Sequence, residues 1–108
     1  MGEKIVSGAD ALVMDAADDV ATAIREIAAG QTVRYVCQGK AETLIAEEPI
    51  PFGHKIAVKD IPEGAVVRKY GEIIGRATRP IRRGCHVHIH NLEGIRGRGD
   101  KAKGAKAE

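Results

Sequence analysis

The sequence predicts a small, mainly β domain made of short strands and tight turns. Three eleven-residue stretches share one pattern, and prolines inside two of them exclude a continuous helix there. Turn-forming Gly and Pro residues also recur at short intervals along the chain. No segment calls for a long helix, and the length of 108 residues suits one domain.

The repeated stretches are AIREIAAGQTV (23–33), AVKDIPEGAVV (57–67) and ATRPIRRGCHV (77–87). Each has Ala first, Arg or Lys third, Ile fifth, Gly eighth and Val eleventh. If the copies share a conformation, each is the end of a strand, a tight turn and a new strand. The glycine of each copy (Gly30, Gly64, Gly84) is then predicted in the left-handed region, which glycine adopts at little cost.

Residues 15–30, DAADDVATAIREIAAG, locally resemble a helix, because Val20, Ile24 and Ile27 follow helical spacing. Since part of this segment belongs to the first repeat, we expect a strand and a turn instead. Further on, ETLIAEEPI (42–50) alternates weakly as a strand does, and VVRKYGEIIGRAT (66–78) predicts a hairpin with its turn near YGE.

The chain is predicted to consist of a flexible N-terminus (1–12), the β domain (13–93) and a disordered basic tail (94–108). The tail has five basic and two acidic residues and little apolar surface to bury. We interpret it as solubilising, with RNA or an acidic protein as the alternative contact, and we expect no nucleic-acid partner.

No stretch approaches the roughly 20 apolar residues of a membrane span, and the N-terminus lacks the order of a signal peptide. A cytoplasmic location and no membrane contact are therefore expected. Cys37 and Cys85 fit two free thiols.

Three of the four histidines lie in GCHVHIHN (84–91). On a regular strand His86, His88 and His90 share one face, while Val87 and Ile89 point inward. Histidines two residues apart are about 6.5–7 Å apart at Cα, so two can bind one metal, whereas all three require a bend. A metal site, proton transfer and a merely solvated face all remain open on this pattern.

The stretch GHKIAVKDIPEGAVVRKYGEIIGRATRPIRRGCHVHIHN (53–91) resembles the SAF-type domain of the altronate and galactarate dehydratase family. The motifs that carry the resemblance are GHKIA, KDIPEG, KYGEIIGRA and HVHIHN, and VATAIREIAAG (20–30) looks like the opening strand and turn. The resemblance implies a β-clip fold of short strands and hairpins with short helical turns.

The same resemblance implies β-elimination from a hydroxylated acid. Water leaves in the sugar-acid dehydratases, and sulfite leaves in the related sulfolactate lyase, whose small subunit looks similar. Such a reaction needs a base and a group that polarises the leaving oxygen, which implies a divalent metal, Fe²⁺ in this family. We expect a small subunit, inactive alone, that works with a large catalytic subunit on a sugar acid and self-associates when isolated.

The resemblance implies roles for eight residues, and the sequence departs from the family at Cys85, where relatives more often have an acid. The predicted roles are catalysis for His54 and His88, substrate binding for Lys55, Lys69, Tyr70 and Asn91, and metal binding for His86, His88 and His90. The alternatives are a non-catalytic carbohydrate or sugar-acid binding module and a free-standing hydrolase or metal-binding protein. Imidazoles in both GHK and HVHIHN favour the lyase subunit, because a purely structural clip needs neither.

Overall fold

The computed structural model describes residues 8–94. Within this range the chain forms strands, turns and bends without a helix, so the mainly β fold is confirmed while the short helical turns are replaced by other turns. Accordingly, no helix among residues 8–94 could cross a membrane. The strands are β1 (Ala11–Leu12), β2 (Val20–Ala23), β3 (Thr32–Cys37), β4 (Lys40–Ile45), β5 (Lys55–Ala57), β6 (Val66–Lys69), β7 (Glu72–Ala77), β8 (His86–Val87) and β9 (Leu92–Gly94).

The strands form two sheets. Six strands pair in the order β4-β3-β1-β2-β5-β8, and three pair in the order β6-β7-β9. β1 runs parallel to β3, and the other neighbouring strands of the two sheets pair antiparallel. Each region has its own core of aliphatic side chains, one centred on Ile56 and Val33 and the other on Val67 and Val87. Burial of these branched side chains is the main favourable term holding the strands together.

The repeat-based prediction of three similar turns is confirmed. Gly30, Gly64 and Gly84 have φ of 85°, 85° and 95°. In each copy the residue after the glycine donates its N–H to the carbonyl three residues earlier, as Ala65 does to Pro62 (3.1 Å). The segment with local helical spacing is β2 followed by the first of these turns. The prolines and left-handed glycines account for the absence of helix at these corners.

A fourth copy of the same turn occupies residues 46–56 and was not predicted. Gly53 has φ of 86° and is the eighth residue of the stretch that begins at Ala46. The first copy pairs with this fourth copy through mutual hydrogen bonds between Ile27 and Ile50, and the second pairs with the third through Ile61 and Ile81. Glu48 replaces the basic third residue of the pattern and Ile56 replaces the Val at its eleventh place, and these two departures hid the copy in the sequence.

The turn predicted near YGE is the Tyr70–Gly71 connection between β6 and β7. Both residues have positive φ, 55° and 79°, as two-residue hairpins of the primed type require. The hairpin end is fastened to the larger sheet by Asp18, which is only 2% exposed. The Asp18 carboxylate accepts the N–H of Gly71 at 2.8 Å, together with those of Met14 and Asp15 at 3.2 Å.

The folded region begins earlier than the predicted boundary at residue 13. Ala9, Asp10 and Ala11 are buried, and β1 lies inside the six-stranded sheet, paired on both sides. A short strand with neighbours on both edges satisfies its backbone groups and cannot be a loose terminus. At the other end, β9 extends to Gly94. The remaining predictions of a flexible start and a disordered tail concern residues 1–7 and 95–108, outside the described residues.

Candidate functional site

Two histidines from different repeats meet where β5 pairs with β8. His54 immediately precedes β5, and His86 opens β8, where it pairs with Ile56. This register places the Nδ1 atom of His54 2.9 Å from the Nε2 atom of His86. At that separation one nitrogen carries a proton and the other accepts it, unless both bind the same ion.

His88 completes a group of three. The regular strand ends at Val87 and the chain bends, which brings the ring of His88 onto the ring of His54, with centroids 4.0 Å apart and planes inclined by 16°. One nitrogen from each of His54, His86 and His88 lies within 4.8 Å of the others. We call these three residues the histidine cluster.

His90 was predicted as a metal ligand with His86 and His88, but it is not one of the three residues whose ring nitrogens converge. Its ring is exposed and lies 5.2 Å from that of His86, centroid to centroid. The prediction that Ile89 points inward is wrong, since Ile89 is 86% exposed. Strand alternation stops at Val87, so the residues beyond it follow the geometry of a turn.

Asn91 forms the closing contact of that turn. Its side-chain oxygen accepts the N–H of His88 at 3.0 Å, and its side-chain amide donates to the carbonyl of His86 at 2.8 Å. Asn91 is only 5% exposed. Its side chain therefore contacts the backbone of two cluster residues, whereas the family resemblance implied substrate binding for Asn91.

The surroundings disfavour the charged form of two cluster imidazoles. Burial is the largest cause that lowers the pKa of His86, followed by the neighbouring His54, His90 and His88, with Glu48 acting in the opposite direction. Burial also lowers the pKa of His88, followed by His54, Lys55 and His90. Both rings are consequently neutral at pH 7, the form that binds a metal.

The predicted cationic residues lie on the same side of the domain. Lys55 opens β5 beside His54 and pairs with Thr22, and the hydroxyl of Tyr70 donates to the Thr22 Oγ1 at 3.3 Å. The Lys69 ammonium is 4.9 Å from the centroid of the Tyr70 ring. Burial, and secondly the charge of Lys69, lowers the pKa of Lys55. A cavity of about 290 Å³ is lined by Lys69, Tyr70, Glu72 and Ile74.

Glu48 belongs to the site but was missed by the sequence analysis. Its carboxylate accepts the backbone N–H of His86 at 2.8 Å. Glu48 could have been found as the third residue of the fourth repeat, but the pattern shared by the other three repeats did not reveal that copy. Cys85 packs against the core around Val67 and Val87.

The donor set of the cluster fits a divalent transition metal. Metal–imidazole bonds of about 2.0–2.1 Å place adjacent ligand nitrogens about 3 Å apart, which matches the 2.9 Å between His54 and His86. Imidazole suits Fe²⁺ as well as Zn²⁺, Cu²⁺ and Ni²⁺. Three imidazole donors at a partly exposed surface would leave further coordination positions for a substrate or a partner.

Comparison with known proteins agrees with this architecture. The family model described as the altronate/galactarate dehydratase SAF domain matches residues 9–94. The chain is 40% identical over 87 residues to (2R)-sulfolactate sulfo-lyase subunit alpha of Chromohalobacter salexigens, covering 78% of this chain and 93% of that protein.

Two dehydratases match over a small part of their length. Altronate dehydratase of Escherichia coli K12 is 42% identical over 76 residues, which are 70% of this chain but only 14% of the enzyme. Galactarate dehydratase (L-threo-forming) of the same organism is 54% identical over 40 residues, 37% of this chain and 8% of the enzyme. With the family model matching nearly all of the described residues, the chain belongs to the altronate/galactarate dehydratase SAF domain family.

Proposed function

We propose that this chain is the small subunit of a two-chain lyase that eliminates water from a sugar acid such as altronate or galactarate. The observation that carries the proposal is the convergence of His54, His86 and His88, with their ring nitrogens within 4.8 Å. A cluster of imidazoles beside Lys55 and Lys69 combines a metal-binding group with cations that suit a carboxylate.

In this proposal His54, His86 and His88 hold a divalent metal, Fe²⁺ in the first instance. Such an ion supplies Lewis acidity to the substrate carboxylate and the departing hydroxyl. The catalytic roles predicted for His54 and His88 are then exercised as ligands. Because their ring nitrogens are engaged, the base for the proton next to the carboxylate comes from the large chain.

Lys55 and Lys69 bind the negative charge of the substrate. Lys55 lies next to His54 in sequence, and its charge contributes to the lowered pKa of His88, so it acts on the same space as the cluster. Tyr70, held by Thr22, supports the Lys69 ammonium over its ring. A carboxylate placed between the two ammonium groups would relieve their mutual repulsion.

A large partner chain is supported by what surrounds the cluster. Phe52, two residues before His54, is 65% exposed, and Ile89, next to His88, is 86% exposed. Large apolar side chains beside a polar site are typical of a surface that a partner covers. In the matched altronate dehydratase the corresponding region is a small fraction of a much longer chain. We therefore place the large subunit over the cluster.

A second candidate is the small subunit of a sulfolactate sulfo-lyase, an enzyme whose substrate loses sulfite. It is favoured by one observation: the alpha subunit of that enzyme is matched over 93% of its own length. The two candidates share the cluster, the cations and the partner, and they differ in the substrate and the leaving group.

The test is reconstitution of the two-chain enzyme. A tagged copy of this chain is purified from its host, the large chain of the same family is identified, and both are produced and mixed without oxygen. Altronate, galactarate and sulfolactate are then assayed with Fe²⁺ and with a chelator, following the oxo acid or sulfite released. Activity that needs both chains and the metal supports the proposal, and the product distinguishes the two candidates.

His54→Ala and His88→Ala test the site within the same complex, with His90→Ala as the matched control on the neighbouring exposed imidazole. Loss of activity in the first two, with His90→Ala near wild type, is expected. Full activity of the first two variants, or no large chain bound by the wild-type protein, would contradict the proposal.

A further inference from the structure

Asn91 is a buried polar residue whose side chain spans the two cluster histidines on either side of the end of β8. Its oxygen accepts from the N–H of His88, and its amide donates to the carbonyl of His86. The backbone adds a third contact, because the N–H of Asn91 reaches the carbonyl of His88 at 3.2 Å. The carbonyl of Asn91 in turn accepts from Thr78, which ties the turn to the end of β7.

The relative placement of the two rings depends on this turn. His86 is held from both sides, since Glu48 accepts its N–H while Asn91 binds its carbonyl. His88 lies beyond the last paired residue of β8 and has no strand partner. The two residues between His88 and Asn91 are exposed, so they offer little packing to fix the turn. The Asn91 amide therefore carries the connection between the two ligand backbones.

We propose that Asn91 is a positioning residue, which holds the backbones of His86 and His88 so that their rings converge with His54. This role replaces the substrate-binding role expected for Asn91. The Asn91 side chain could bind a substrate only by breaking its hydrogen bonds to His86 and His88, and this would disturb the cluster. Its effect on metal affinity depends on the proposed function, whereas its effect on ring geometry in the metal-free protein does not.

A merely structural role makes a different prediction. Loss of buried hydrogen bonds anywhere in the domain lowers the free energy of unfolding. A positioning role additionally changes the histidine cluster in molecules that remain folded. The matched control is Asp10→Ala, since Asp10 is 7% exposed and its carboxylate accepts the backbone N–H of Arg34 in β3 at 2.9 Å, rather than that of a cluster residue.

The first measurement is NMR of the metal-free protein, comparing wild type with Asn91→Ala and Asp10→Ala. Wild type should show nuclear Overhauser contacts between the rings of His54 and His88, whose centroids are 4.0 Å apart. We expect these contacts to disappear in Asn91→Ala while contacts between β3 and β4 remain, and to persist in Asp10→Ala. Persistence of the ring contacts in folded Asn91→Ala would overturn the inference, regardless of any metal.

If Asn91→Ala does not fold, Asn91→Asp decides the matter, because it keeps the acceptor for His88 and removes the donor to His86. The His88 amide proton should stay protected from exchange with solvent, because its acceptor remains, whereas the His86 ring should be displaced. Unchanged His86 ring signals would overturn the inference.

The second measurement is titration with Co²⁺, followed by calorimetry and by its visible absorption. Loss of residues that orient metal ligands costs about 10–100-fold in affinity, and we expect a loss of this size with an altered spectrum in Asn91→Ala. Asp10→Ala should bind as wild type does. An Asn91→Ala variant with wild-type affinity and spectrum would contradict the inference. If wild type itself binds no Co²⁺, the metal role of the proposed function fails, and the NMR result alone judges Asn91.

Discussion

The Nδ1 atom of His54 lies 2.9 Å from the Nε2 atom of His86, although 32 positions separate the two residues in the chain. His54 is the ninth residue of the fourth repeat, and His86 is the tenth residue of the third. The pairing of β5 with β8 brings these two repeats together at their second strands. Duplicated turns thus create a place where imidazoles from two copies face each other, and His88 joins them because β8 is short.

The three proposed metal ligands can be tested one at a time. His54→Ala, His86→Ala and His88→Ala should each weaken Co²⁺ binding by about 100-fold or more, since even residues that only orient ligands cost 10–100-fold. His90→Ala should change affinity by less than about threefold, because its ring lies outside the converging set. Calorimetric titration of the four variants checks this order. A larger loss of Co²⁺ affinity in His90→Ala than in His54→Ala would instead favour His86, His88 and His90 as the metal ligands.

Acid should destabilise the metal-free protein within a defined range. The pKa values of His86 and His88 are lowered in the folded state from the ordinary 6.5. Above pH 7 both rings are neutral whether the chain is folded or unfolded, so protonation of these rings takes nothing from the free energy of unfolding there. As the pH falls through 6.5 the unfolded chain takes up protons that the folded chain resists, so the free energy of unfolding falls until the folded pKa values are passed.

Urea unfolding at pH 7.5, 6.5 and 5.5 in the presence of a chelator measures this loss. The double variant His86→Gln, His88→Gln should lose less stability than wild type over the same interval. This window lies above the range in which most carboxylates take up protons. An equal decline in both proteins would show that other groups cause it.

Sequence patterns predicted most of the fold because its turns repeat. The Ala, Ile and Gly positions specify the same backbone wherever they recur, and the prolines at 62 and 80 exclude the helix that local spacing favoured. The site was predicted less well for a physical reason. Strand alternation places His86, His88 and His90 on one face, but β8 ends after two residues and the turn sends Ile89 and His90 outward. The length of an edge strand depends on the strand with which it pairs, and the periodicity of one segment carries no information about that partner.

The fourth repeat shows the same limit. Glu48 breaks the basic third position, so the copy was invisible to a pattern that required Lys or Arg there. In the structure this glutamate accepts the N–H of His86. The residue that departs from the repeat is therefore part of the site. A search that required only Ala, Ile and Gly would have found both the fourth repeat and Glu48.

Lys55 should respond to its neighbour in a predictable direction. Burial is the main cause of its lowered pKa and the charge of Lys69 is the second. Lys69→Gln should raise the pKa of Lys55 while leaving it below the ordinary 10.5, because the burial remains. NMR titration of the lysine ε-methylene groups measures it, with Lys59→Gln as the control. A pKa of Lys55 unchanged by Lys69→Gln would mean that the two ammonium groups do not share one anion-binding space.

The repeated turns also offer a matched test of what their glycines do. Gly64 and Gly84 have similar φ of 85° and 95°, yet their surroundings differ. A methyl group at Gly64 meets nothing within 4 Å, whereas at Gly84 it would overlap the carbonyl oxygen of Ile45. Gly64→Ala should cost only the conformational penalty of about 1–2 kcal/mol. Gly84→Ala should cost more, because the end of β4 must move away from the turn that presents His86.

Urea unfolding of the two alanine variants at pH 7.5 gives the comparison. We expect Gly84→Ala to lower the free energy of unfolding at least about twice as much as Gly64→Ala. Both variants have the same unfavourable φ, and in Gly84→Ala the methyl group also overlaps the backbone. The displacement should also reach Glu47, whose N–H donates to the carbonyl of Gly84 at 2.8 Å, and through it Glu48 and the backbone of His86. Gly84→Ala should therefore weaken Co²⁺ binding, and Gly64→Ala should not. Equal losses of stability in the two variants would show that the contact between β4 and the third turn contributes nothing beyond backbone conformation.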